Sequence, residues 1–255
     1  MKVYTYGDEN KPLLLLLPGT CCHNSLFDRV ILRLREDFLV AVVSYDGFDE
    51  SESTTFPSIL EEVALLEGYL MERFAGHVFA VYGSSLGGSL AALMLCRRKV
   101  SFDHVILGSS DLDQIDGLRA KIVARLFATF IYRSMQRGRL PLGLSCIANK
   151  KEYLQKALRA VGIGTGTHSM SFVSEQSIFN QFYSDLITPL PDNICIDGTK
   201  VHIFYALKMG EKYARRYARH FRNADIRKQS FEHEELLLCQ PDAWVKEVKA
   251  CVLGQ

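Results

Sequence analysis

The sequence predicts an α/β protein, a mostly parallel central sheet with helices on both faces, and three observations predict it. Short apolar runs of strand length alternate with stretches of helical periodicity along most of the chain. Parallel neighbours need crossover connections, so the alternation implies a sheet covered on both faces. The 255 residues suit one large core carrying a small inserted unit.

Taken in order, Leu13 to Leu17 is a buried strand that stops at Pro18-Gly19, and Leu26 to Leu34 has the spacing of a helix. Phe38 to Tyr45 is a second strand, ended by Asp46-Gly47. Pro57 opens a helix whose apolar positions Ile59, Val63, Leu66, Leu70 and Phe74 share one face, with Gly76 just past its end. A strand from His77 to Tyr82 meets Gly83-Ser84-Ser85-Leu86-Gly87-Gly88, followed by a small-residue helix from Leu90 to Arg98 and a strand from Phe102 to Leu107. The rhythm then breaks. Between about 111 and 193 the patterns are helical: Leu118 to Gln136, Lys151 to Val161 and Ser174 to Leu186. Alternation resumes with strand Val201 to Leu207, helix Lys212 to Phe221, a short strand at Ile226 to Ser230 and a helix from Pro241 to Leu253. The expected division is a core of residues 1–110 and 194–255 with a helical cap at 111–193.

Composition removes several classes of function. With 48% hydrophobic and 23% charged residues the chain is neither disordered nor fibrous, and a net charge of +1 lacks the polyelectrolyte signal of a nucleic-acid binder. No apolar run approaches the ~20 residues that span a bilayer, and no leader-like run opens the sequence. A cytoplasmic protein is expected. The seven cysteines are an odd number, and adjacent Cys21-Cys22 lacks the spacing of redox or zinc motifs, so reduced thiols are expected.

Gly83-Ser84-Ser85-Leu86-Gly87 fits Gly-x-Ser-x-Gly between a predicted strand and a predicted helix. Glycines two positions either side let the chain turn tightly with Ser85 at the tip, and the helix behind it offers free N–H groups to a developing oxyanion. A phosphate loop is excluded, because Gly88 stands where that motif needs lysine.

These residues, in this order, resemble the α/β-hydrolase superfamily in its serine-nucleophile branch with a helical cap. Leu-Leu-Pro18-Gly19-Thr20 is similar to the segment that usually reads His-Gly-x there, with proline in place of histidine, and Val43 to Phe48 resembles the family's x-Asp-x-x-Gly strand end. The resemblance implies an oxyanion hole from the N–H of Leu86 and that of Thr20 or Cys21. It also implies the chain order serine, acid, histidine, and a late histidine as base. His233, after the last predicted strand in Phe231-Glu232-His233-Glu234-Glu235, is best placed. A metalloprotease reading of His233-Glu234 fails, since Leu237 holds the second histidine's slot. His77, His104 and His202 fall in or beside strands, whereas His23 lies in the oxyanion loop and could line the pocket.

For the acid, Gly210-Glu211-Lys212-Tyr213 resembles the family's Gly-x-x-Asp turn, but Tyr213 occupies the acid's place. Glu211 is the nearest carboxylate; Asp113 or Asp111, after the preceding strand, is the alternative. On the Leu118 to Gln136 helix, Leu118, Ile122, Leu126, Phe130 and Ile131 form an apolar stripe beside Lys121, Arg125, Arg133 and Arg137. That stripe could roof the serine, with Phe127 and Phe130 in the pocket, or lie on anionic lipid; the roof is preferred, because an insertion at this point in the family usually covers the pocket.

The expected activity is hydrolysis of a small-molecule ester or related acyl compound by Ser85, His233 and Glu211, with no metal or organic cofactor and no nucleic-acid partner. The alternatives are acyl transfer on the same fold and a non-catalytic ligand-binding protein with a vestigial triad.

Overall fold

The computed structural model describes residues 1–254 except 111, 113, 142, 144–150 and 165–168, so candidate acids Asp111 and Asp113 lie outside the described residues. Seven strands form one sheet: β1 (Lys2–Tyr6), β2 (Leu13–Leu17), β3 (Leu39–Ser44), β4 (His77–Ser84), β5 (Ser101–Gly108), β6 (Lys200–Ala206) and β7 (Asp225–Gln229). Their spatial order is β1-β3-β2-β4-β5-β6-β7. Every pairing is parallel except β1 with β3.

Around the sheet lie helices α1 (Asp28–Leu34), α2 (Ile59–Phe74), α3 (Leu86–Arg97), α4 (Gly117–Arg137), α5 (Glu152–Ala160), α6 (Glu175–Ile187), α7 (Glu211–His220), α8 (Glu235–Cys239) and α9 (Pro241–Leu253). The all-leucine β2 explains why both faces are covered. Leu13, Leu15 and Leu17 pack with residues of α2 and α3, while Leu14 and Leu16 pack with α1 and α9. Side chains alternate across a strand, so only a strand buried on both faces keeps an unbroken apolar run.

Helix α2 is capped by the Ser58 side chain, which accepts from the Glu61 N–H, and it closes with Ala75 in the left-handed conformation. Its Glu62 is fully buried; one carboxylate oxygen accepts from the Asp46 N–H at 3.1 Å and the other has no hydrogen-bond partner among the described residues. Burial pushes this carboxyl up to about 7. The folded state therefore holds the proton more tightly than the unfolded one. Its unfavourable contribution is absent below about pH 4.5, grows as pH rises to about 7 and amounts to roughly 3 kcal/mol above that. Glu62→Gln imitates the protonated acid, so its thermal midpoint is expected to exceed wild type at pH 8 and to match it near pH 4.5. Parallel midpoint curves for the two proteins would count against this account.

The sequence missed β1, an edge strand, and the short α8. It also misjudged α4. That helix is amphipathic as expected, but its buried face is the row Ala120, Ala124 and Ala128, the last two packed in the main core, whereas Leu118, Ile122, Leu126 and Phe130 face outward. Small residues at four-residue spacing let α4 approach α6 closely, and the larger apolar stripe is left outside. Among the described residues no helix is long and apolar enough to cross a membrane.

Candidate active site

The turn from β4 to α3 carries Ser85 at φ 47°, ψ −111°, a left-handed conformation that a side-chain-bearing residue adopts only when its surroundings enforce it. The two flanking glycines enforce it by close approach. A Cβ on Gly83 would lie 2.2 Å from the Gly87 carbonyl oxygen, and one on Gly87 would lie 2.3 Å from that of Leu17. Further bonds fix the tip: the Ser85 N–H donates to the Gly108 oxygen at 2.8 Å and to Glu234 Oε1 at 3.2 Å, and the Ser110 hydroxyl donates to the Ser85 oxygen at 2.8 Å.

Ser85 lines a cavity of about 560 Å³ together with Gly19, Thr20, Cys22, Ser84, His233 and Glu234. Its walls are mostly apolar and come from the helices between β5 and β6: Val123 and Phe127 of α4, Ala157 and Ala160 of α5, Phe182 and Leu186 of α6. Phe127 stacks on Phe182 with ring centroids 5.4 Å apart. Tyr153 and Asp185 are polar exceptions in that wall, and burial pushes the Tyr153 phenol up to about 12. The Cys22 thiol is likewise pushed by burial to about 12, which makes it a poor nucleophile.

Of the residues singled out from sequence, the fold brings Ser85, His233, Thr20 and Phe127 to one cavity. Leu86 is the first residue of α3, where an N–H has no acceptor within its own helix. Cys21 is different, since its N–H is spent on Gln181 Oε1 at 2.8 Å. His23 does not line the cavity: its buried ring caps a short 3₁₀ turn, hydrogen-bonded to Ser25, and contacts Glu50 at 3.0 Å. Phe130 points outward and is 40% exposed. Glu211, at the start of α7, is exposed and pairs with Arg215 at 3.4 Å, apart from the cavity lining. Among the described residues the His233 imidazole makes no hydrogen bond or ion pair.

One residue of the site escaped the sequence reading. Glu234 follows His233 in a left-handed conformation at φ 57° and is 8% exposed. Its carboxylate accepts the Tyr82 hydroxyl at 2.7 Å and a share of the Ser85 N–H, and its own N–H donates to Ser109 Oγ. Burial raises this carboxyl, opposed by the charge of His233 and by the Tyr82 and Ser85 bonds. The histidine loop is thus tied from below to the serine turn. Among the described residues no group of three or more His, Cys, Asp and Glu could hold a metal ion.

Comparison with known proteins gives the fold a name. No protein-family model matches the chain. No curated protein matches it either. Solved structures do. A protein assigned to the alpha/beta hydrolase family from Desulfitobacterium hafniense superposes with a TM-score of 0.78 at 17% identity, covering 97% of this chain and 98% of its own. An enol-lactonase from Burkholderia xenovorans gives 0.71 at 16% identity over 100% and 96%, and an esterase from Exiguobacterium antarcticum 0.70 at 16% over 98% and 94%. Each superposition runs over nearly the whole of both chains, so the likeness is one of overall fold. The chain adopts the α/β-hydrolase fold.

Proposed function

We propose that the chain is a serine hydrolase that cleaves an ester or related acyl compound through an acyl-enzyme on Ser85. The observation that carries this reading is the strained left-handed Ser85 at the edge of an apolar cavity that it shares with His233. In the first step the Ser85 oxygen bonds to the substrate's carbonyl carbon while its proton passes to a ring nitrogen of His233. The carbonyl oxygen takes up negative charge, facing the N–H groups of Leu86 and Thr20. The bond to the leaving alcohol then breaks as His233 returns the proton to it. Water repeats the sequence on the acyl-enzyme, releasing the carboxylic acid and free serine. The segment from α4 to α6 acts as the cap, and its apolar wall takes the acyl chain.

Esterase and enol-lactonase names among the structural neighbours support a hydrolytic reaction. A second reading, a ligand-binding protein without efficient turnover, is favoured by the place of Glu211, which is exposed, pairs with Arg215 and stands apart from the cavity lining. A fluorophosphonate probe tests the first. Labelling is expected, with the modified peptide mapping to Ser85; a folded protein that does not label, or labels elsewhere, would sink the assignment. Labelling at Ser85 with no turnover across short-chain esters would favour the second reading.

A further inference from the structure

Helix α4 contains no Asp or Glu, and it carries Arg119, Lys121, Arg125, Arg133 and Arg137, all exposed. Arg119 pairs with Asp116 and the Arg125 guanidinium stacks on Phe179 at 4.3 Å; among the described residues Lys121, Arg133 and Arg137 make no ion pair. Between these cations runs the outward stripe: Leu118 is 71% exposed, Ile122 54%, Leu126 67% and Phe130 40%. Positions spaced by four lie one above another on a helix, so this is one continuous apolar strip and not scattered surface leucines.

The strip also adjoins the cavity. Val123 and Phe127, one position beyond Ile122 and Leu126, belong to the cavity wall, and half-exposed Phe127 bridges the two surfaces. From this juxtaposition we propose that α4 docks on an anionic lipid surface, with Leu118, Ile122, Leu126 and Phe130 in the headgroup boundary and the mouth of the Ser85 cavity turned to the bilayer. An amphipathic helix of this kind, with aliphatic and aromatic residues on one strip and only cations beside it, gains both from apolar burial and from anionic headgroups. A second copy of the chain is a poorer occupant, since a two-fold contact would set these cations against their own copies. The proposal rests on the hydrolase reading only for its purpose, delivery of a membrane-borne acyl compound to Ser85; the docking itself does not depend on turnover.

The test is co-sedimentation of the full chain with phosphatidylcholine vesicles, with and without phosphatidylglycerol, at low salt and at ~0.5 M salt, where screening is nearly complete. Binding is expected only with phosphatidylglycerol and should weaken at least ~10-fold in high salt. The double variant Ile122→Glu, Leu126→Glu is expected to abolish it, and Lys121→Glu with Arg133→Glu to weaken it by a similar factor. None of these residues lines the cavity, so fluorophosphonate labelling of Ser85 in the absence of lipid should stay at the wild-type rate and report that each variant is folded. Three results would overturn the proposal: no vesicle binding by a folded wild type, binding that survives both variants, or a dimer in sedimentation that Leu126→Glu dissociates. Loss of labelling in the wild type, with vesicle binding intact, would overturn the hydrolase reading and leave the docking surface standing.

Discussion

Ser85→Ala and His233→Ala are each expected to lower turnover of a short-chain ester by ~10⁴-fold or more, and the double variant should be scarcely worse than either alone. The non-additivity follows from the chemistry proposed for the cavity, because serine attack and proton removal are one step and either deletion removes it whole. What survives is catalysis by the oxyanion donors and by binding in the apolar cavity, which neither substitution touches. Stability should barely change, since both side chains sit only partly buried at the cavity edge. Glu211→Gln serves as the contrast. Its carboxylate is exposed and pairs with Arg215 one turn along α7, so turnover should stay within about twofold of wild type. Steady-state kinetics on the four proteins, with thermal midpoints alongside, decides the matter. A His233→Ala protein with near wild-type turnover would remove His233 from the mechanism, and a large loss in Glu211→Gln would mean that the α7 terminus moves towards the cavity in the working enzyme.

The core strands were legible in the sequence because each is a short apolar run bounded by turn residues, and burial on both faces leaves that pattern no ambiguity. β1 was not, since Lys2 to Tyr6 is an edge strand with no fully buried residue, and an alternation with no buried face gives no clear signal. The serine turn was legible for a steric reason that acts locally: Gly83 and Gly87 each leave room only for hydrogen. For α4 the sequence showed that two faces exist but not which one meets the core. The informative signal there is Ala120, Ala124 and Ala128, small residues at helical spacing that permit close packing, which the larger apolar residues of the neighbouring stripe mask in the sequence. His23 looked like a pocket residue from its position after Gly19, yet Ser25, two residues on, captures its ring. Glu234 was out of reach altogether. In the sequence it is one of three glutamates around a histidine, and its partners Tyr82 and Ser85 lie some 150 positions earlier.

Glu234→Ala is expected to destabilise the protein by about 3 kcal/mol and to slow probe labelling of Ser85 at the same time. The stability loss has a specific source. Tyr82 is fully buried among Phe27, Phe204 and Trp244, and its hydroxyl has the Glu234 carboxylate as acceptor, so the alanine variant leaves a buried O–H unpaired beside a new void. The labelling loss follows because the same carboxylate takes part of the Ser85 N–H and anchors the loop that carries His233. Glu234→Gln separates hydrogen bonding from charge. Its amide oxygen can still accept from the Tyr82 hydroxyl while the Ser85 N–H keeps the Gly108 oxygen as acceptor, so a stability within about 1 kcal/mol of wild type is expected. Tyr82→Phe should cost about 1 to 2 kcal/mol on its own, and much less once Glu234 is already alanine, because the two substitutions delete one shared bond. Denaturant unfolding of the four variants, set beside their labelling rates, checks the cycle. Additive costs for Tyr82→Phe and Glu234→Ala would mean that the buried pair is not what ties the histidine loop to the serine turn.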